Sequence, residues 1–562
     1  MKTFFSPALS VLLLTGAALA QSIPPAFKAA EASVDPQRIR AHVKFLSDDL
    51  LEGRGPGTHG GEIAAAYIAS QFEAYGLKPG GDNGTYLQQV NFVGTKTLAD
   101  KTHLSLVPDK PKDGGGMHMM LHSYDLKFGD DYTVNNRRLT ESVDINAPIV
   151  FVGYGVVAPE FGWNDYAGID VKDKVVLCIV GDPPSDDPKF FGGKALTYYG
   201  RWTYKFEEAA RHGAIGALII HRTDLASYGW DVVKNSNTSE KTYLRDNKDP
   251  QLAAASWIQL EVARTLFKAA NLDLDTEMTV AGKRGFKAQE LPVHLEAHIE
   301  SKVRSFQSPN VVGILPGRNV AERKPDQAVM YTAHYDHLGM VPGMAGDNIY
   351  NGAADNATGC GMLLEMARAW ALSGIKPPHS VIFASVAAEE QGLLGSEYLG
   401  QHPPVPPGQI ALDINYDMIL PIGVPLEANL NGEQRTTFHR TVEATAKRFN
   451  LRIVPDAHPE AGGYYRSDHF SLSRVGIPAF SVDQGELFEG HDEAWGAAKD
   501  KDFVDHDYHN FSDNYHADWN FKGNAKLVRF GMELGWEAIS APRMIEWLPG
   551  DEFEAARKAS EK

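Results

Sequence analysis

The alternation of apolar runs with amphipathic segments between residues 310 and 541 constrains the fold more than any other feature of this chain. Runs such as "AVMYTAHYDH", "SVIFASVAAEE" and "IALDINYDM" predict strands, and intervening segments such as "ATGCGMLLEMARAWALSG" predict helices. Strands that alternate with helices of this length form a mostly parallel sheet with helices on both faces. The sequence therefore predicts an α/β fold that binds its ligand at the carboxyl ends of the strands.

Acidic and histidine side chains occur where these strands end. Each of them alone has an ordinary structural role, as a helix cap, a turn residue or a hydrogen-bonded histidine. They are His334 and Asp336 after "AVMYTA", Asp355 before a helix, Glu389 and Glu390 after "SVIFASVAA", and Asp417 after "IALDINY". Gathered at one sheet edge they would repel and desolvate one another unless a cation neutralised them. A divalent metal is the simplest such cation.

The number of ligands predicts two metal ions rather than one. A bridging carboxylate can hold two metals roughly 3.5 Å apart, and each metal then needs one imidazole and one further carboxylate. Asp355, Glu390, Asp417 and His334 supply four of the five ligands. The fifth is expected to be a histidine later in the chain.

Two neighbours of these ligands have predicted supporting roles. Asp336 lies two residues after His334 on the same strand face, so it can accept the second imidazole N–H. Glu389 and Glu390 leave a strand in different directions, so one of them can bind metal while the other is free to act as a general base.

The residues before 310 have a different pattern of predicted secondary structure. Residues 36–92 predict a helix, a Gly-rich turn and a helix, whereas the segment from about 140 to 292 is rich in short strands and has no metal-spaced cluster. Residues 1–20 have a basic start, the apolar stretch "ALSVLLLTGAALA" and small residues for cleavage after Ala20, as in a secretory signal. We therefore expect a secreted or periplasmic protein with no membrane span.

Composition bears on the partners and on the disulfide content of the protein. The formal net charge is −18 with no basic tract, which argues against nucleic acid as a partner. Cys178 and Cys360 are the only cysteines, so we expect buried thiols rather than a disulfide framework.

Six segments of this chain resemble, in order, the signatures of the co-catalytic zinc aminopeptidases, a family with glutamate carboxypeptidase and glutaminyl cyclase relatives. They are "AHYDHLG", "NGAADNATG", "AAEEQGLLGS", "NYDMI", "YYRSDHF" with "GIPAF", and "YHNFSDNY". The segment "GRWTYKFEEAARHGAIGALIIH" is similar to the protease-associated domain that is inserted in bacterial members of the family. The segment "LSDDLLEGRGPGT" resembles the start of those bacterial members. The expected organisation is a signal peptide (1–20), the N-terminal part of the peptidase domain (21–135), an inserted β-rich protease-associated domain (136–292), the catalytic domain (293–545) and a tail (546–562).

The resemblance implies a role for each candidate residue. His334 and Asp417 would bind one Zn²⁺, Glu390 and the late histidine the other, and Asp355 would bridge them. Glu389 would be the general base for a hydroxide shared by the two metals. A cis peptide bond between Asp355 and Asn356 is also implied.

The late histidine is identified by register. The family segment is Tyr-His, two variable positions, Ser-Asp, one variable position and Tyr, and "YHNFSDNY" fits it from Tyr508. Starting from Tyr515 the fit fails, because Trp519 and Asn520 stand where Ser-Asp should. His509 is therefore the expected ligand, with His516 as the alternative.

The implied reaction is zinc-dependent hydrolysis of N-terminal peptide bonds. Tyr464, Tyr465 and Arg466, beside "SDHF", are candidates for substrate contacts. A carboxypeptidase or a single-zinc glutaminyl cyclase on the same scaffold stays open, as does a receptor-like protein without catalysis. The run "TAHYDHLG" is also similar to a metallo-β-lactamase motif, but Thr332 occupies the place of its first histidine.

Overall fold

A computed structural model of the chain describes residues 23–109, 123–226, 228–318 and 327–561. The predicted signal peptide at residues 1–20 lies outside these residues. None of the helices in the described part of the chain has the length and apolar character needed to cross a bilayer.

The helices, labelled in chain order, lie mainly before residue 75 and after residue 200. They are α1 (Pro25–Ala32), α2 (Pro36–Leu46), α3 (His59–Ala74), α4 (Trp202–Arg211), α5 (Thr223–Ala226), α6 (Trp230–Thr238), α7 (Leu260–Ala269), α8 (Leu274–Ala281), α9 (Gly359–Leu372), α10 (Leu394–Gln401), α11 (His439–Arg448), α12 (His469–Arg474), α13 (Glu493–His506), α14 (Lys522–Ser540) and α15 (Glu554–Ser560).

The strands run through most of the chain and form two large sheets that share one strand. They are β1 (Lys78–Pro79), β2 (Leu87–Thr97), β3 (His103–Pro108), β4 (Tyr124–Asp125), β5 (Tyr132–Asn135), β6 (Ser142–Phe151), β7 (Val157–Ala158), β8 (Trp163–Asn164), β9 (Val175–Ile179), β10 (Gly216–Ile220), β11 (Lys241–Leu244), β12 (Ala254–Ile258), β13 (Gln289–Leu315), β14 (Ala328–His334), β15 (Gly339–Met340), β16 (Ile349–Tyr350), β17 (Val381–Val386), β18 (Ile410–Tyr416), β19 (Glu427–Asn431), β20 (Arg452–Ile453) and β21 (Ala479–Gln484).

The first sheet has a parallel centre. Its order is β11, β2, β13, β17, β14, β18, β21, β19 and β20, with β17, β14, β18 and β21 parallel to one another. Every residue of β14, β17 and β18 is buried, because helices α9 and α14 cover one face and α10 and α12 the other. The predicted α/β fold, with a parallel core between helices, is confirmed.

Two glycines allow α14 to approach this sheet closely. A Cβ atom at Gly531 would lie 1.7 Å from the Tyr416 hydroxyl oxygen, and one at Gly535 would lie 1.8 Å from that of Tyr331. The Tyr331 hydroxyl donates a hydrogen bond of 3.0 Å to the Gly531 carbonyl. An alanine at either position would force the helix away from the sheet.

The second sheet lies in the inserted region, which we define as residues 136–292, and in the strands that precede it. Its order is β4, β3, β13, β6, β9, β10, β12 and β5, with β6, β9, β10 and β12 parallel. The long strand β13 pairs with β3 and β6 in its first half and with β2 and β17 in its second. The expected boundary between residues 292 and 293 therefore falls inside one continuous strand. Cys178 and Cys360 are both buried and free, as predicted.

Candidate metal centre

The predicted ligands come together at the carboxyl edge of the first sheet. His334 is the last residue of β14, Asp417 directly follows β18, and Glu389 and Glu390 follow β17 by three and four residues. Because these strands are parallel, their ends meet at one edge, and the side chains that follow them share one cleft.

Asp355 reaches the same cleft from the segment before α9. The peptide bond between Asp355 and Asn356 is cis. The Asn356 side-chain amide donates to the Tyr416 carbonyl at 2.9 Å and accepts from the Gly359 N–H at 2.9 Å. This amide fixes the loop to the end of β18, next to Asp417.

The two carboxylate oxygens of Asp355 face two different histidines. Oδ1 lies 3.3 Å from Nε2 of His334, and that nitrogen lies 3.1 Å from Oδ1 of Asp417. Oδ2 lies 3.2 Å from Nε2 of His509, which lies 3.0 Å from Oε2 of Glu390. One carboxylate thus stands between two equivalent sets, each of one imidazole and one further carboxylate.

The electrostatics of the cluster show that it requires positive charge. Burial disfavours the imidazolium of His334, yet the carboxylates of Asp417 and Glu389 raise its pKa well above the ordinary value. Desolvation likewise opposes the charged form of His509, but Glu390 and Asp355 raise its pKa to about 10. Burial alone would raise the pKa of Asp355, but hydrogen bonds from both histidines hold it well below the usual range.

The donor set fits two zinc ions. Within the described part of the chain, no lysine or arginine forms an ion pair with the clustered carboxylates of Asp355, Glu389, Glu390 and Asp417. Imidazole nitrogens and carboxylate oxygens are the ligands that zinc binds in catalytic sites. The remaining need for positive charge is what a pair of divalent cations would meet.

Glu389 differs from the other carboxylates in its surroundings. Its Oε2 lies 4.0 Å from Nε2 of His334, the longest of the distances around that nitrogen. Burial raises its pKa well above the ordinary value, and the charges of Asp417 and Glu390 add to this effect. Burial also acts on Glu390, but His509 and His337 lower the pKa of that carboxyl to about 2. The two adjacent glutamates therefore have opposite proton affinities, as a base and a ligand require.

Asp336 contacts His334 in a way that differs from the prediction. Nδ1 of His334 lies 3.2 Å from the main-chain carbonyl oxygen of Asp336 and 3.8 Å from its carboxylate. The carboxylate instead accepts the Glu389 N–H at 3.1 Å. Asp336 therefore contacts the imidazole of His334 through its backbone carbonyl and the main-chain N–H of Glu389 through its carboxylate.

The two late histidines lie in different surroundings. His509 contacts the cluster, whereas the ring of His516 packs against Trp519 with 5.5 Å between the ring centres. Tyr508 stacks on His509 with the ring centres 3.9 Å apart. These contacts favour His509 over His516 as the ligand.

Two supporting residues were missed at the level of sequence. Nδ1 of the fully buried His337 lies 2.6 Å from Oε1 of Glu390. The buried Asp513 accepts the Ala354 N–H at 2.8 Å and the Asp355 N–H at 3.1 Å. Both stand inside segments that carry the resemblance, "AHYDHLG" and "YHNFSDNY", so their position in those motifs was the available signal.

A third missed residue is Arg54, which is 1% exposed. Its guanidinium donates to the carbonyls of Tyr335 at 2.7 Å, Asn351 at 2.6 Å and Gly352 at 2.8 Å. It therefore ties the chain just after His334 to the chain just before Asp355. Arg54 stands inside "LSDDLLEGRGPGT", another segment that carries the resemblance, so that motif was the available signal, although its contacts span about 300 residues.

The three residues predicted to contact substrate differ in burial: Tyr464 and Tyr465 are buried, whereas Arg466 is exposed. Tyr464 and Tyr465 are buried, and their hydroxyls bond to Ser473 at 2.7 Å and Glu552 at 2.8 Å. Their rings pack with Trp547 and other aromatic residues near the chain end. Arg466 is exposed and immediately precedes Ser467, whose hydroxyl donates to Oδ2 of Asp417 at 2.6 Å.

Comparisons with known proteins agree with these motifs. Residues 310–529 match the model of Peptidase family M28. The chain is 31% identical over 214 residues to leupeptin-inactivating enzyme 1 of Streptomyces exfoliatus, covering 36% of this chain and 43% of that protein. It is 34% identical over 124 residues to aminopeptidase YwaD of Bacillus subtilis, covering 22% and 24%. These alignments span less than half the length of either relative.

Among solved structures, the fold is similar to that of the aminopeptidase from Aneurinibacillus sp. strain AM-1. The sequence identity is 18% and the TM-score is 0.49, and the alignment covers 91% of this chain and 96% of that one.

Proposed function

We propose, on the premise that residues 310–529 belong to peptidase family M28, that this protein is a two-zinc aminopeptidase that removes N-terminal residues from peptides. The observation that carries the proposal is the Asp355 carboxylate standing between two imidazole–carboxylate sets, with a protonatable glutamate beside them. The names of the curated relatives, an aminopeptidase among them, support the same reaction class.

In this proposal each residue of the cluster has one task. His334 and Asp417 would hold one Zn²⁺ and His509 and Glu390 the other, with Asp355 shared between the two sets. Zinc would supply polarisation of the scissile carbonyl and acidification of the attacking water. Glu389 accepts the proton of that water and delivers it to the departing amine, for which its raised pKa is suited.

A cavity beside the cluster supports a substrate with a free amine. It measures about 380 Å³, and one of its lining residues is Met418, which follows Asp417 in the chain. Asp456, Asp483 and Asp500 line it, with Arg452 and His458 among the other lining residues. Such an acidic wall would stabilise an α-ammonium group and disfavour a carboxylate at the same place.

The single-zinc and non-catalytic alternatives predict a different number of metal ions per chain. A glutaminyl cyclase would need one metal set, whereas two matched sets flank Asp355 here. A receptor-like protein would have no need of a base with the protonation behaviour of Glu389. The measured metal stoichiometry separates both from an aminopeptidase.

The experiment is hydrolysis of leucine p-nitroanilide and its N-acetylated form by the purified protein, before and after chelation. We expect cleavage of the free-amine substrate only, loss after chelation and recovery with zinc. Equal cleavage of the blocked substrate would indicate an endopeptidase, and no zinc-dependent recovery would contradict the proposal.

Export is part of the proposal. The basic start, apolar stretch and small residues before Gln21 support removal of residues 1–20 and a periplasmic or extracellular location. N-terminal sequencing of protein from the native host should begin at Gln21, and retention of Met1 would contradict it.

A further inference from the structure

Two histidines and an aspartate lie side by side on three neighbouring strands of the second sheet. His298 of β13 stands opposite His103 of β3 on one side and opposite Asp144 of β6 on the other. Residues directly opposite each other in antiparallel strands have their Cβ atoms about 5 Å apart and point to the same face of the sheet. We call this row of three side chains the histidine rung.

The histidine rung is on the solvent-facing side of the sheet. Along β13, the alternate residues Leu295, Ala297 and Ile299 are buried, whereas the residues between them are exposed or half-buried. His103 and Asp144 are exposed as well. An ion in solution therefore has direct access to the rung.

The hydrogen bonding of the rung leaves ring nitrogens free on both histidines. Nδ1 of His298 lies 2.7 Å from Oδ1 of Asp144. In the neutral imidazole Nδ1 donates its proton to this carboxylate, and Nε2 keeps a lone pair. Metal-bound histidines are commonly held in this way, with the second ring N–H donated to a carboxylate. Among the described residues, no hydrogen bond or ion pair involves the side chain of His103.

The two imidazoles have the separation that one shared metal ion requires. Their rings stack with 5.6 Å between the ring centres. Two imidazoles that bind one ion at about 2.0 Å have ring centres roughly 5 to 6 Å apart. Because His103 is exposed, its ring can turn towards Nε2 of His298 without any movement of the backbone.

The carboxylates around the rung favour a cation. Glu296 lies two residues before His298 on the same face, and its Oε1 accepts a hydrogen bond from Asn146 at 3.1 Å. Within the described part of the chain, neither Asp144 nor Glu296 forms an ion pair with a lysine or an arginine. Two exposed carboxylates without a basic partner give this part of the sheet a negative potential, which attracts a divalent cation.

We propose that the histidine rung binds one divalent transition-metal ion. Nε2 of His298 and a ring nitrogen of His103 are the protein ligands, Asp144 orients His298, and water fills the remaining positions. The rung lies on the second sheet, apart from the strand ends of the first sheet that carry the metal centre, so this site goes beyond the proposed function. With two protein ligands, it holds its ion more weakly than the metal centre and releases it on dialysis without metal.

The test is copper uptake by untagged, zinc-loaded protein. Imidazole binds zinc, nickel and copper, and Cu²⁺ is the tightest-binding of these ions. Equilibrium dialysis against a copper(II) salt should add one Cu²⁺ per chain without loss of zinc. Electron paramagnetic resonance should show coupling of this copper to two imidazole nitrogens. A wild type that takes up no copper, or takes it up only in exchange for zinc, would overturn the site.

Variants locate the copper in the rung. His103→Gln and, separately, His298→Gln should each lose this copper, and Asp144→Ala should weaken its binding about 10- to 100-fold. His439→Gln is the matched control, because Nδ1 of His439 lies 2.6 Å from Oε2 of Glu433 and the side chain is similarly exposed. No ring of another described histidine stacks on it, so this variant should bind copper like the wild type.

The copper site and the proposed reaction stand or fall separately. His103→Gln and His298→Gln should keep the zinc content and the circular dichroism spectrum of the wild type, which would show that both variants fold. Loss of copper from these folded variants supports the site even if the wild type hydrolyses no peptide. Wild-type copper uptake in both variants would contradict the assignment even if aminopeptidase activity is present.

Discussion

Two parallel sheets in this molecule each place charged side chains at the carboxyl ends of their strands, and they neutralise those charges differently. Asp182, which follows β9 in the inserted region, and Asp165 are two carboxyls on which the charge of Lys205 acts. Lys205 is 0% exposed and donates to the Gly181 carbonyl at 2.9 Å. Burial raises the pKa of both carboxyls to about 7, and the Lys205 charge opposes that shift. Here the chain supplies its own cation.

At the edge of the first sheet, as far as the structure describes the chain, only imidazoles lie within ion-pair distance of the clustered carboxylates. The carboxylates of Asp355, Glu390 and Asp417 face His334 and His509, and no lysine or arginine of the described residues pairs with them. Buried charge without an internal counter-ion indicates a ligand, whereas balanced buried charge indicates structure. The contrast between Lys205 and the histidine cluster is therefore the main argument for a metal centre.

The largest effect should come from Glu389→Gln. This change removes the proton acceptor but none of the five proposed ligands, so turnover should fall by about 10³-fold or more while the bound zinc stays at two per chain. Steady-state rates and elemental analysis on the same preparation measure both. Glu261→Gln, on the exposed surface of α7, is the matched control and should behave as wild type. Full activity of Glu389→Gln would remove this residue from its role.

Lys205→Met would remove the cation that acts on Asp165 and Asp182 in the inserted region. Without this lysine, Asp165 and Asp182 both lose the buried cation whose charge acts on them, and we expect a loss of about 3 kcal/mol in unfolding free energy at pH 8. Zinc stoichiometry should not change. The exposed Lys172→Met is the control in the same region.

The same variant has a predictable pH dependence. The folded-state pKa of about 7 for Asp165 and Asp182 lies above the unfolded value, so the folded protein binds extra protons between about pH 4 and 7. The stability that protonation of these two carboxyls contributes is complete at low pH and is lost as the pH rises through 7. Denaturant unfolding should therefore show a smaller loss for Lys205→Met at pH 5 than at pH 8, and an equal loss at both would contradict the charge argument.

His509→Ala and His516→Ala form a matched pair at the metal centre. Removing His509 leaves Oε2 of Glu390 and Oδ2 of Asp355 without an imidazole partner, so we expect about one zinc per chain or at least about 100-fold weaker binding of the second. His516→Ala should keep two zinc ions. Competition with a chromophoric chelator measures the affinities, and loss of zinc in His516→Ala alone would reverse the assignment.

The smallest effect concerns His42, a buried histidine that stays neutral in the folded protein near neutral pH. Burial lowers the pKa of His42 to about 4, with Arg38 and Arg368 adding to the shift, and its Nδ1 lies 2.9 Å from the Tyr67 hydroxyl. Because the unfolded chain binds the proton more readily, this histidine should cost about 2 kcal/mol of stability between pH 7 and pH 5. His42→Gln should flatten the stability profile by that amount, whereas the exposed His516→Gln should not. An unchanged slope in His42→Gln would contradict the buried neutral state.

The sequence was sufficient to predict the parallel core of the fold and to identify the side chains that converge at its carboxyl edge. Strands β14, β17 and β18 are continuous apolar runs, and the residues that follow each run necessarily meet at one edge once the strands are parallel. The long strand β13, which joins both sheets, could not be anticipated, because a change of partner along one strand leaves no break in the alternation of side chains.

Contacts between distant segments were equally hidden. Arg54 fixes the His334 and Asp355 loops through carbonyl oxygens, which any residue provides, so the sequences of those two loops do not predict this contact. Arg201 and Lys241 come from the inserted region, and only the packing of that region against the catalytic segment brings them beside Arg466. Asp336 was expected to act on His334 through its carboxylate, a choice that depends on less than 1 Å of side-chain placement.

The most direct test of the account is the metal content of catalytically active protein. Inductively coupled plasma mass spectrometry of a preparation with measured aminopeptidase activity should give two zinc ions per chain, with both lost on dialysis against a strong chelator. Undiminished activity in protein that contains no divalent metal would contradict the central claim.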